Sequence, residues 1–239
     1  MKTIFHKADE RGHANHGWLD SYHSFSFANY HDPKKIHFGA LRVLNDDFIE
    51  GGYGFGKHPH DNMEIVTIPL SGDLKHEDST GRKEIIRQYD VQIMSAGSGI
   101  AHSEMNANAD KEVTLLQIWV FPKERNITPR YDQKTFKPED RINKLQTVVA
   151  PDNAEAVYIH QDAWFSLGNF EQGFQTEYKL NKKTNGVYAF LIEGEATING
   201  NKLNKRDAIG VWDTDKLDIK ADKAAELLLI EVPMDLNNG

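Results

Sequence analysis

The sequence predicts an all-β protein, a sandwich or barrel built from short strands, and three observations carry that reading. Apolar runs are brief and rich in β-branched or aromatic side chains, as in Ile65-Val66-Thr67-Ile68-Pro69-Leu70, Val91-Gln92-Ile93-Met94 and Leu115-Leu116-Gln117-Ile118-Trp119-Val120-Phe121. Turn-forming Gly, Pro, Asp or Ser lie close to each run, and Gly alone occurs 18 times in 239 residues. Helical stripes with i, i+3, i+4 spacing are hard to find at any length.

Strand signals fill the first 121 residues and then break. The stretch Pro122–Lys144 holds Pro122, Pro129, Pro138 and many charges, and reads as a connection between two units. Strands resume with Val187-Tyr188-Ala189-Phe190-Leu191-Ile192-Glu193, Ala208-Ile209-Gly210-Val211-Trp212 and Glu226-Leu227-Leu228-Leu229-Ile230-Glu231-Val232. Between the first two of these, Asn199-Gly200 is a strong hairpin signal. The expected units span 1–135 and 145–239, alike in style but without clear identity between them.

Composition narrows the chemistry. Lys plus Arg is 28 against 36 for Asp plus Glu, a formal charge of −8, and the pI is near 5.8. Nucleic acid is therefore not an expected direct partner, because broad binding to it needs a basic surface. There is no cysteine, which removes disulfides, zinc-thiolate sites, Cys-ligated clusters and Cys nucleophiles together. A metal would have to be held by His and carboxylate. The polar start carries no apolar leader, and no window reaches the ~20 apolar residues of a membrane helix. A cytoplasmic protein with no membrane partner is the expectation.

The strongest chemical signal is Phe55-Gly56-Lys57-His58-Pro59-His60-Asp61-Asn62-Met63-Glu64. On a strand alternate residues share a face, so the His58 and His60 imidazoles project together. Pro59 between them fits an edge or irregular strand, since it cannot donate to a ladder. His102 and Glu104 form a second such pair beside the Gly97-Ser98-Gly99 turn. Two strands that each offer two same-face ligands can close a site of three His and one carboxylate, with positions left open for small ligands. An isolated His-x-His is more often a surface feature than a ligand pair, and the second pair is what raises this one above that reading. Glu64 shares parity with His58 and His60, so parity alone does not choose between Glu64 and Glu104. The other histidines, His6, His13, His16, His23, His31, His37 and His76, read as hydrogen-bonding or surface residues, and none follows His160. The Gly51–Gly56 run does not open a helix, so it reads as tight turns and close backbone approach rather than as a phosphate loop.

At these residues the chain resembles a cupin, and specifically the pirin family of bicupins. The first cupin motif matches from Gly52 through His58 and His60 to Glu64, with its closing Gly one place late at Gly72. The second is looser: Val91 stands where the pattern has Gly and Gly97 where it has Pro, while Gly99, His102 and Asn106 keep the ending. The runs Gly12-His13-Ala14-Asn15-His16-Gly17-Trp18-Leu19-Asp20 and His23-Ser24-Phe25-Ser26-Phe27-Ala28-Asn29-Tyr30 are very similar to the pirin signature.

The resemblance implies two packed jelly-roll cupin barrels, a metal-binding one at 1–135 and one without metal ligands at 145–239. It implies His58, His60, His102 and Glu104 as ligands of one divalent cation, with Glu64 displaced to a supporting or pocket position. It favours Fe(II), while His with carboxylate also suits Ni, Cu, Co, Mn or Zn. It further implies a quercetin 2,3-dioxygenase, which opens the central ring of a flavonol with O2 and releases CO. Glu104 would then be the catalytic general base for the flavonol 3-hydroxyl. The partners expected are a small flavonol-like aromatic and O2, acting on a monomer. Eukaryotic members imply the alternative, a metal-binding transcription cofactor without catalysis. The acidic chain, with no basic cluster, leans away from that role. A cupin acting on another small molecule is the third reading.

Overall fold

The computed structural model describes residues 1–236. The last three positions of the expected 145–239 unit lie outside the described residues. The chain is almost entirely strand. Its first half contains β1 (Lys2–His6), β2 (Gly12–Asn15), β3 (Leu19–His23), β4 (Leu41–Ile49), β5 (Gly54–His60) and β6 (Glu64–Ser71). β7 (Leu74–Asp78), β8 (Lys83–Ile86), β9 (Asp90–Ser95), β10 (Ile100–Asn106), β11 (Val113–Val120) and β12 (Arg130–Thr135) follow. The second half contains β13 (Leu145–Ala150), β14 (Val157–Tyr158), β15 (Trp164–Phe170), β16 (Gln175–Lys179) and β17 (Asn185–Glu193). It closes with β18 (Glu195–Ile198), β19 (Asn201–Asn204), β20 (Ala208–Trp212), β21 (Lys216–Ala221) and β22 (Ala225–Pro233).

Each half pairs a seven-stranded sheet with a four-stranded one. The first half has the orders β12-β9-β6-β11-β4-β3-β2 and β5-β10-β7-β8. The second has β1-β20-β17-β22-β15-β13-β14 and β16-β21-β18-β19. Two cupin-type barrels result, as the sequence predicts.

Single-residue alternation separates the cores. On β22, Leu228, Ile230 and Val232 join a core shared by both halves, while Leu227 and Leu229 fill the second barrel. On β17, Tyr188, Phe190 and Ile192 face the shared core, and Val187, Ala189 and Leu191 the barrel. Leu44, Val66, Leu116 and Ile118 supply the first half's side of the shared core. Both faces of the large sheets are therefore buried, which is why their strands read as continuous apolar runs rather than as alternating ones.

Two expectations about the boundary need correction. β1 does not belong with the first unit 1–135: it pairs antiparallel with β20, with Phe5 packed into the second barrel's core. The Pro122–Lys144 stretch is more than a connection, because it contains β12, which closes the edge of the first large sheet against β9. Its residues are mostly half-buried and polar, Arg130, Tyr131, Asp132, Gln133, Lys134 and Thr135, so the usual strand signal is missing.

Candidate metal centre

β5 is the edge strand of the first small sheet, paired with β10 alone, so Pro59 costs no ladder hydrogen bond. Register places His58 directly opposite His102, and His60 opposite Ile100. A bulge interrupts the pairing between His102 and Glu104, so that Glu104 lies opposite Phe55 and two residues of β5, Gly56 and Lys57, face one of β10. The Gly56 carbonyl accepts the His58 Nδ1–H at 2.8 Å, which leaves Nε2 as the free donor atom. Two glycines permit this geometry. A side chain at Gly54 would collide with the Glu104 carbonyl oxygen. Gly97, at φ +48° before β10, would collide with the Ile127 carbonyl.

The three imidazoles converge. Ring centroids are 4.5 Å apart for His58 and His102, and 4.9 Å for His60 with either of the others. One ligating nitrogen from each of His58, His60 and His102 lies within 4.8 Å of the other two. Burial, reinforced by the neighbouring imidazoles, pushes His60 down to about 4 and His102 to about 3. Both rings are therefore neutral near pH 7, the form that ligates. The His102 Nε2 is buried with no hydrogen-bond partner among the described residues. An unpartnered buried ring nitrogen beside two further imidazoles is an arrangement a divalent cation can satisfy.

Glu104 sits at the back of this group. Its ligand oxygen lies within 4.8 Å of His102 and His76, and these three form a second, fully buried cluster that shares His102 with the first. The carboxylate accepts the Gln117 Nε2–H at 2.8 Å, and the Thr67 hydroxyl at 3.0 Å from Gln117 Oε1 fixes that amide. Those partners belong to a row of polar residues that crosses the large sheet. Gln133, Gln92, Thr67, Gln117, Asn45 and His23 stand in register on β12, β9, β6, β11, β4 and β3. Apolar groups border the row on either side, Ile65, Met94 and Ile100 on one and Leu19, Ile49, Leu74 and Leu115 on the other. Among the described residues the second barrel shows no such row, and apolar side chains fill it.

Glu64 has a different place. The chain turns at Asp61–Met63, with Asn62 in the left-handed region at φ +46°, so Glu64 opens β6 rather than continuing β5. The parity argument that kept it a candidate fails there. Its Oε2 accepts the Ser95 hydroxyl at 2.9 Å and the His160 backbone N–H at 3.1 Å, and it belongs to neither metal-type cluster found among the described residues. Glu64 ties the first half to the second. His76, read from the sequence as a hydrogen-bonding or surface residue, is fully buried beside His102. The available sequence signal was that His76 lies two residues from the apolar Leu74 and so shares its face on a strand.

A cleft of about 530 Å³ opens beside the cluster at His60, with Met63, Ile100 and Trp119 as apolar walls and Asp61, Ser79 and Ser98 as polar ones. Trp119 stands edge-on to His60 at 4.9 Å.

Residues 4–120 match the family model described as Pirin, and residues 147–232 match the quercetinase C-terminal cupin domain. The chain is 45% identical over 228 residues to a quercetin 2,3-dioxygenase of Escherichia coli K12, covering 95% of this chain and 97% of that one. The chain belongs to the pirin family. A pirin-like protein of Caulobacter vibrioides is 40% identical, over 93% of this pirin and 96% of that protein. The crystal structure of the bacterial pirin YhhW of E. coli, in complex with nickel(II), superposes at a TM-score of 0.92 with 43% identity. That match covers 97% of this chain and 99% of the other. None of the helices described in this pirin is long and apolar enough to cross a membrane.

Proposed function

We propose that this pirin is a metal-dependent dioxygenase that opens the central ring of flavonols such as quercetin with O2 and releases CO. His58 and His102 through Nε2, with His60 and Glu104, would hold one divalent cation, for which we favour Fe(II). The observation that carries the reading is the convergence of three imidazoles, with the His102 Nε2 buried and without a partner, beside a cleft that His60 lines. Relatives named as quercetin 2,3-dioxygenases, and the nickel(II) in the E. coli crystal structure, support it.

When bound, the cation supplies a Lewis-acidic centre with open coordination positions. The protein does the rest. Neutral imidazoles add no charge, so the site keeps its attraction for a deprotonated flavonol. Glu104, held by Gln117, takes the 3-hydroxyl proton. Met63, Ile100 and Trp119 offer apolar surface to the flat rings, in a volume of about 530 Å³ that fits the usual range of small-molecule sites.

Incubating metal-loaded protein with quercetin in air, and measuring the loss of flavonol absorbance together with the CO evolved, tests the function. One CO per flavonol is expected. No turnover with any of Fe, Ni, Cu, Co or Mn would remove the dioxygenase reading and leave a metal-binding cupin with another role.

A further inference from the structure

His76 and Asp78 are not among the expected ligands, yet both are buried directly behind one. The His76 Nδ1 lies 3.5 Å from the His102 Nδ1, and the His76 Nε2 lies 3.2 Å from Asp78 Oδ2. β7 and β10 hold the three in register, with Glu104 opposite His76 and His102 opposite Asp78. The other Asp78 oxygen, Oδ1, accepts the Thr80 backbone N–H at 2.9 Å, the Thr80 hydroxyl at 2.5 Å and the Arg82 backbone N–H at 3.4 Å. The Asp78 side chain is 1% exposed and that of His76 is fully buried.

These contacts constrain where the protons of the relay can sit. An aspartate that is surrounded by donors accepts on both oxygens, so His76 Nε2 carries the hydrogen. If that is the only ring hydrogen on His76, its Nδ1 keeps a lone pair and can only accept. The His102 Nδ1 then carries a hydrogen, and the His102 lone pair falls on Nε2, the buried atom without a partner, on a ring packed against His58 and His60.

We infer that the Asp78–His76 pair is a positioning relay that sets the tautomer of His102 and so prepares its Nε2 for the cation. The inference rests on the metal-centre reading above. Hydrogen-bonded partners behind a ligating histidine orient the ring and raise its basicity, and their loss typically costs about 10–100-fold in metal affinity.

The sharpest test is Asp78→Asn, which keeps shape and removes a charge. With the Asn oxygen occupied by the Thr80 and Arg82 donors, its NH2 faces His76 Nε2. That nitrogen must then accept, His76 Nδ1 becomes the donor, and His102 is driven to the Nε2–H tautomer. His76→Gln is the partner variant, because its amide oxygen can still accept from His102 Nδ1.

Long-range ¹⁵N–¹H spectra of metal-free protein read the His102 tautomer directly. Nδ1–H is expected in the wild type and in His76→Gln, and Nε2–H in Asp78→Asn. Ni(II) affinity by chelator competition should fall about 10–100-fold in Asp78→Asn and stay near the wild type in His76→Gln. A wild-type His102 in the Nε2–H form overturns the relay, as does an Asp78→Asn variant with the wild-type spectrum and affinity. Two equivalents of Ni(II) in the wild type and one in His76→Gln would also overturn it, since His76 would then be a ligand. A wild type that binds no divalent cation, with the tautomers as expected, instead refutes the metal-centre reading and leaves the relay as a purely structural feature.

Discussion

Replacing Glu64 with alanine takes away the acceptor of two donors, the buried Ser95 hydroxyl and the part-buried His160 backbone N–H. Each stranded donor costs about 1–3 kcal/mol, so the pair sets a loss of roughly 2–6 kcal/mol. Burial pushes the Glu64 carboxyl above its ordinary pKa, and removing that strained charge returns part of the cost. The net expectation is a loss of about 2–4 kcal/mol, large against a domain stability of about 5–15 kcal/mol. Urea denaturation followed by Trp fluorescence reads it as a lower midpoint at unchanged slope. At low temperature, where the variant stays folded, divalent-cation stoichiometry should equal that of the wild type, because Glu64 faces Ser95 and His160 rather than the imidazoles. A folded Glu64→Ala protein that has lost its cation would refute the reasoning and return the ligand role to Glu64. Wild-type stability would refute the bridging role.

Glu104→Gln should weaken Ni(II) binding by at least the ~10–100-fold typical of partners one step removed, while Glu64→Gln leaves it unchanged, both read by chelator competition. His6, hydrogen-bonded to Tyr188 and 4% exposed, is pushed from 6.5 down to about 4, first by burial and then by the Lys35 charge. The unfolded chain therefore takes up a proton that the folded one refuses. Relative to His6→Gln, the wild type should lose as much as about 3 kcal/mol as pH falls from 6.5 to 4 and no more below that; a pH-independent gap contradicts this. Fragment 1–144 should be insoluble or unfolded, because it exposes Leu44, Val66, Leu116 and Ile118, each worth about 1.5–3 kcal/mol when buried, and leaves β1 without β20. A soluble, cation-binding fragment would count against that.

The two-barrel fold was legible because its strands are short, β-branched and set off by turns, and the long Leu227–Ile230 run marks a strand buried on both faces. What escaped was mostly register. The place of β1 in the second sheet depends on a partner some 200 residues away, and nothing local in Lys2–His6 encodes it. β12 escaped because an edge strand of half-buried polar residues carries little apolar signal. At the candidate site the parity of His58 with His60 was readable. The choice between Glu64 and Glu104 was not, because the Asn62 turn and the β5 bulge break the count. The polar row from Gln133 to His23 takes one residue from each of six strands, so it is visible only once those strands are aligned.

Elemental analysis of freshly purified protein, set beside His58→Ala and His102→Ala, bears most directly on the imidazole cluster. About one equivalent of a divalent transition metal in the wild type and almost none in either variant is the result expected. Metal retained by both variants, or a wild type that takes up no ion from a series of Fe, Ni, Co, Cu and Mn, would contradict it.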